Sequence, residues 1–230
     1  MKTTKKLLAG AVVASIVAMA GIAPVANAEV SASVGVASSY LWRGFNLGSG
    51  TPAVSGSLDY SNEGFYAGIW ASSGDDSAGS EYDLYLGYGG EVGDFTYDAM
   101  LINYVYPSGQ FSETEGLGDF MEIIVSLGYG PVTFQYYDNI AGETGGYAFN
   151  EDYKYMTLSA DFGAYSVLVG KHFEDAALVA DSVTGDSTHL DLSYAYNDNV
   201  SFTYSIPVGS DTGFQEKEPL FVVSYSMTIE

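Results

Sequence analysis

The most constraining feature of this sequence is a period-two alternation of apolar and small or polar residues, sustained over twelve segments between Val30 and Ile229. Successive side chains of a β-strand point to opposite faces, so such alternation specifies strands with one apolar face. The apolar register runs through Val30, Ala32, Val34, Val36 and Tyr40, then Val54, Leu58 and Tyr60. It continues with Phe65, Ala67, Ile69 and Ala71, with Tyr82, Leu84, Leu86 and Tyr88, and with Phe95, Tyr97, Ala99 and Leu101. Met121, Ile123, Val125, Leu127 and Tyr129 follow, then Val132, Phe134 and Tyr136, then Met156, Leu158, Ala160 and Phe162. The last four segments are Tyr165-Val167-Val169, Leu190-Leu192-Tyr194-Tyr196, Val200-Phe202-Tyr204-Ile206 and Phe221-Val223-Tyr225-Met227-Ile229, read along alternate positions.

The connections alternate as well. After even-numbered segments they are short and turn-forming: Ser61 to Gly64, Gly89 to Asp94, Gly130-Pro131, Gly163-Ala164 and Asn197 to Asn199. After odd-numbered segments they are long and polar: Gly44 to Gly50, Ser72 to Ser80, Pro107 to Gly118, Asn139 to Asn150, Glu174 to Thr188, and Val208 to Glu218. An even strand count, with short turns on one rim and long loops on the other, predicts an all-β, antiparallel up-and-down transmembrane barrel. Both termini then lie on the short-turn rim, which faces the periplasm in an outer-membrane barrel. Nothing in the long loops reads as a plug.

The first 28 residues read as a secretory leader. Lys2, Lys5 and Lys6 precede an apolar run from Leu7 to Ala23, and Ala26-Asn27-Ala28 supplies a small-residue cleavage triplet. Residues 29–230 form the expected single barrel domain.

Charge placement separates a membrane barrel from a soluble sandwich, which also alternates. A charge on a lipid-facing surface costs about 2–4 kcal/mol at mid-membrane. The chain has 29 Asp and Glu against 7 Lys and Arg, yet no acid falls on the apolar register above. Asp59, Asp83, Asp98, Glu122, Asp161 and Asp191 lie within segments on the opposite face. Lys171, on the apolar register, sits at a loop end where it can snorkel toward headgroups. Such an acidic chain is not built to hold nucleic acid, and the absence of Cys excludes a disulfide scaffold.

Aromatics form two belts on the apolar face. Tyr60, Phe65, Tyr88, Phe95, Tyr129, Phe162, Tyr165 and Tyr196 adjoin the short turns, as a periplasmic girdle. Tyr40, Trp42, Tyr82, Tyr136, Tyr204 and Phe221 lie toward the long loops. Amphipathic rings at both interfaces are what a bilayer selects.

From Val34 onward the chain resembles the proteobacterial porins of the TorF type. The resemblance rests on Val34 to Phe45 (VGVASSYLWRGF), Thr51 to Val54, Asp59-Tyr60, and Gly64 to Ser72. Tyr82 to Tyr85, Tyr104 to Pro107 and Met121 to Ile123 carry it further. It is sharpest over the first half and extends more loosely over the rest. The resemblance implies an outer-membrane barrel with a porin role, and neither a substrate nor catalytic residues.

The opposite face would line the lumen. It is mostly small or hydroxylated, with Ser31, Ser33, Ser55, Ser57, Thr96, Ser159, Ser166, Ser193, Ser201 and Thr203 among its members. The expected pore-lining charged and titratable residues are Arg43, Asp59, Asp83, Asp98, Glu122, Asp161, His172, His189 and Asp191. Asp59, Asp98 and Asp161 lie toward the periplasm and the others toward the outside. Six inward carboxylates against one inward Arg favour cations. The first functional reading is therefore a narrow, cation-preferring outer-membrane channel for passive diffusion of small solutes. Arg43 either sets a constriction against Asp83 or Glu122 or forms a structural ion pair tying neighbouring strands.

A second reading is a non-conducting structural or adhesive barrel, because inward Tyr66, Trp70, Tyr85, Tyr104, Phe120, Ile124, Leu168 and Val222 are bulky. A lipid hydrolase is disfavoured, since both histidines face inward and no G-x-S-x-G elbow is present. No enzyme, cofactor or metal is expected. Acidic loop clusters such as Asp75-Asp76 and Glu113 to Asp119 lack EF-hand spacing and read as solvated. The expected partners are outer-membrane lipid, small solutes or ions, and the barrel-insertion machinery.

Overall fold

The computed structural model describes residues 28–48, 50–75, 79–108, 117–118, 120–141, 153–173, 187–209 and 218–229. All but the last residue of the expected leader lie outside them, as do most of the long loops and the acids of the Glu113 to Asp119 cluster.

The strands are β1 (Glu29–Ala37), β2 (Leu41–Trp42), β3 (Phe45–Asn46), β4 (Ala53–Asn62), β5 (Phe65–Asp75), β6 (Gly79–Val92) and β7 (Phe95–Val105). They continue with β8 (Phe120–Tyr129), β9 (Val132–Ala141), β10 (Lys154–Phe162), β11 (Tyr165–Phe173), β12 (Thr188–Ala195), β13 (Val200–Gly209) and β14 (Leu220–Ile229). Twelve of them close an antiparallel barrel in sequence order, β1 pairing β14 on one side and β4 on the other. The described residues contain no helix. Glu29 pairs with Ser61 beside a short turn, and Ala32 pairs with Ile229, so both chain ends of the barrel lie on the short-turn rim.

The face assignment follows the sequence pattern. Val34, Leu58, Leu86, Leu127, Leu158, Val169, Leu192 and Phe221 are exposed on the outer wall. An apolar surface running around the whole barrel far exceeds any patch a soluble monomer leaves in water. The eight girdle aromatics, Tyr60, Phe65, Tyr88, Phe95, Tyr129, Phe162, Tyr165 and Tyr196, are all exposed on that wall near the short turns. Neighbours touch along the belt, as where the Tyr165 and Tyr194 rings stack at 5.0 Å.

Three expectations are corrected. The connection expected from Ser72 to Ser80 shrinks to residues 76–78, because β5 and β6 run on and pair Asp75 with Gly79. Strand β9 extends past Tyr136, which places Asp138 on the outer face, where Lys154 of β10 approaches it at 3.6 Å near the loop end. The third correction is the largest. Tyr40 and Trp42 are not in an outer belt: the chain leaves the wall after Ala37, and both side chains are buried inside the barrel.

Candidate functional site: an inward hairpin in the lumen

Between β1 and β4 the chain makes a two-stranded hairpin, β2 paired with β3, with Trp42 opposite Phe45. Arg43 and Gly44 form its two-residue turn, with φ of 46° and 87°. Positive φ at both central residues is the turn that matches the twist of a tight hairpin. Gly44 takes this conformation freely, whereas Arg43 is held in it by its surroundings. There is no room beyond the turn: a Cβ on Gly44 would stand 2.5 Å from the His189 ring.

The hairpin tip is gripped by inward residues from six consecutive strands. Tyr104 comes from β7, Glu122 from β8, Tyr137 from β9, Tyr155 from β10, His172 from β11 and His189 from β12. The Arg43 guanidinium meets Glu122 through both forks, Nη1 to Oε1 at 2.9 Å and Nη2 to Oε2 at 2.6 Å. Tyr104 Oη also donates to Glu122 Oε2, at 2.6 Å. Aromatic rings surround the cation: Tyr137 at 4.5 Å, Trp42 and Tyr155 at 4.8 Å, and Tyr153 at 5.6 Å from their centroids. Planar, weakly hydrated guanidinium suits this combination of bidentate pairing and stacking.

A closed ring of hydrogen bonds fixes the tip. Arg43 Nη1 donates to Tyr153 Oη at 2.9 Å, and Tyr153 donates to His172 Nδ1 at 3.0 Å. His172 Nε2 then donates to the Arg43 carbonyl at 2.8 Å. A carbonyl accepts only, so Nε2 carries the proton and Nδ1 is the acceptor. A second relay lies alongside, with Tyr155 Oη 2.7 Å from His189 Nε2 and His189 Nδ1 3.0 Å from Asp191. Both histidines are therefore partnered by tyrosines inside the barrel, and among the described residues neither is hydrogen-bonded to a serine side chain.

Around the tip, Phe45, Ile102, Phe120 and Ile124 complete a packed layer. The pairing expected for Arg43 is thus resolved in favour of Glu122 over Asp83, and it ties the hairpin to the wall instead of joining neighbouring wall strands. The absence of a plug in the sequence reading is also corrected: this hairpin occupies the lumen at its long-loop end.

The other half of the lumen differs. Ser33, Ser57, Asp59, Asp98, Ser159, Ser166 and Ser193 are only half-buried, and Thr96 and Asp161 are exposed. Hydroxyls pair across strands, Ser33 with Ser57 at 2.8 Å and Ser193 with Thr203 at 2.9 Å. At the boundary between the halves, Tyr66 donates to Asp98 at 3.0 Å and Tyr85 donates to Asp59. Each of these rings lies against a glycine on the neighbouring strand, Tyr85 beside Gly68 and Tyr66 beside Gly87. A Cβ on Gly68 would come within 2.5 Å of Tyr85 Oη, so glycine is what lets the ring lie flat on the wall.

The expected lumen residues do not converge on one position. Arg43, Glu122 and His172 are joined directly, His189 pairs with Asp191, and Asp83, with both oxygens buried, lies beside Glu81. Tyr153 and Glu81 are central residues that the alternation did not point to. Tyr153 precedes β10, and Glu81 falls in β6 between the connection expected to end at Ser80 and the segment expected to start at Tyr82.

Comparison with known proteins places the chain. The model of a family described as a bacterial protein of unknown function, Gcw_chp, matches residues 22–198. No curated protein matches. A chain solved in work on the in-meso crystallization of membrane proteins aligns with 87% of this chain and 83% of its own length, at a TM-score of 0.53 and 12% identity. Acinetobacter baumannii OccAB2 aligns over 78% of this chain and 55% of its own, at a TM-score of 0.39 and 13% identity. Pseudomonas aeruginosa OpdK, solved with vanillate, aligns over 81% of this chain and 59% of its own, at 0.37 and 15%.

Proposed function

This chain belongs to the Gcw_chp family, and we propose that it is an outer-membrane channel of the porin type for small solutes, closed by its own hairpin in the state described. The observation that carries the reading is the pairing of a solvent-accessible polar half-lumen with a closure made by a hairpin that is not part of the barrel wall. The closure is a short hairpin between β1 and β4, and its charged tie to the wall is the Arg43–Glu122 pair. A barrel that needed only to be filled could use inward side chains of its own strands. On this reading the leader directs export, the short-turn rim faces the periplasm, and the barrel is a TorF-type porin, delivered by the insertion machinery.

Selectivity would come from the accessible half. Asp59, Asp98 and Asp161 line it, and the described residues place no Lys or Arg there. A narrow polar passage with one sign of charge concentrates the opposite ions. The channel is therefore proposed to prefer cations, and nothing in the lumen assigns it catalysis.

The packed layer around Arg43 favours a second reading, a non-conducting structural barrel. Planar-bilayer recordings distinguish the two. Discrete openings with cation-dominated reversal potentials support the channel. A barrel that stays silent both as wild type and with residues 41–46 replaced by a Gly-Ser linker supports the structural role.

A further inference from the structure

Among the described residues, the closed half of the lumen buries three carboxyl groups and one guanidinium. Glu81, Asp83 and Glu122 are each at most 3% exposed, and Arg43 is spent on Glu122. Glu81 accepts from two tyrosines, Tyr40 Oη at 2.6 Å and Tyr106 Oη at 3.0 Å. Among the described residues Asp83 accepts from no tyrosine or backbone donor: it is fully buried, and the group within hydrogen-bonding reach of it is the Glu81 carboxyl, itself an acid. The charged groups that bear on it are Glu81 and Glu122, both acidic. Its neighbours across the sheet are Trp70 on β5 and Tyr104 on β7. A buried carboxylate with neither donor nor counter-charge is among the costliest arrangements a protein can hold.

We propose that Asp83 and Glu81 form a binding site for a hard inorganic cation of the Ca2+ class. The two side chains lie two residues apart on the same face of β6, so both point into the lumen at adjoining levels. Their donors are oxygens only, which suits calcium-like ions and not soft metals. No group of three or more His, Asp or Glu side chains converges on one position among the described residues. The ion therefore keeps part of its water shell and is held by the two carboxylates. Its charge offsets Asp83 as Arg43 offsets Glu122. Occupancy does not require conduction, so the site stands or falls separately from the channel.

The test uses Tb3+, a luminescent stand-in for Ca2+, on the full barrel in detergent. The sequence contains two tryptophans, and one of them, Trp70, is the cross-strand neighbour of Asp83. Tryptophan excitation sensitises Tb3+ only at short range, and comparison with Asp83→Asn separates this site from ions bound elsewhere. The expected result is saturable Tb3+ emission displaced by Ca2+. Asp83→Asn and Glu81→Gln should each weaken the affinity at least about tenfold, while Asp59→Asn in the other half leaves it unchanged. Asp83→Asn removes an unpartnered charge, so it should fold and be more heat-resistant than wild type in chelator. Emission that is absent, or that persists in Asp83→Asn, overturns the proposal. So does an infrared band of a protonated carboxylic acid that persists in Ca2+ and vanishes in Asp83→Asn, because Asp83 is then neutralised by a proton.

Discussion

Strands β7 to β12 carry two different lumens on one inward face. Toward the long loops they present Tyr104, Glu122, Tyr137, Tyr155, His172 and His189, and all but Tyr137 are at most 3% exposed. Toward the short turns the same strands present Asp98, Ser126, Thr133, Ser159, Ser166 and Ser193, none of them buried. Backbone geometry and parity are the same in both halves. Side-chain volume and partnering make the difference: large rings with hydroxyls can close around a cation, whereas short hydroxyls and carboxylates leave room for water. The upper half is stabilised by one coupled network centred on Arg43, while the lower half depends on separate short-range pairs.

That contrast predicts where substitutions are costly. Arg43→Ala leaves Glu122 buried without its cation, and it should cost about 3–5 kcal/mol, read as a lower urea midpoint in a lipid-reconstituted barrel. Adding Glu122→Ala should recover much of the loss, because the orphaned charge is then gone. An equal loss in single and double variants would mean the pair is not coupled. Next in size, His172→Ala opens the ring through Tyr153 and frees the Arg43 carbonyl, at about 1–3 kcal/mol. Gly68→Ala at the boundary should displace Tyr85 and break its bond to Asp59, at about 1 kcal/mol. Smallest is Asp161→Asn in the open half, which should change stability by less than about 0.5 kcal/mol while reducing cation preference in reversal-potential measurements. A large stability loss at Asp161 would erase the distinction between the halves.

The sequence specified the wall and not its contents. Alternation fixes which side of each strand faces out, and the penalty for charge in lipid keeps that register clean, so Leu58, Leu127 and the eight girdle aromatics were legible. Chain direction, not parity, carries the expectation that Asp83, Glu122, His172 and His189 lie toward the long loops. The hairpin was hidden because Tyr40 and Trp42 continue the alternation of β1, and nothing in that pattern marks where the chain leaves the wall. The signal lay elsewhere, in Trp42-Arg43-Gly44-Phe45: a residue followed by Gly between two aromatics is the sequence of a two-residue turn. Partner choice was illegible for another reason. Arg43 and Glu122 are separated by 79 positions, and a curved wall decides which inward charges meet.

The central claim is that the inward hairpin closes an otherwise conducting barrel, and single-channel recording tests it most directly. The comparison is wild type against Arg43→Ala/Glu122→Ala, which removes the charged tie between hairpin and wall without orphaning a charge. The account predicts long closures in wild type and a several-fold higher open probability in the double variant, measured as open time. Wild-type barrels that conduct continuously with the Arg43–Glu122 pair in place, or a double variant that stays closed, would contradict it.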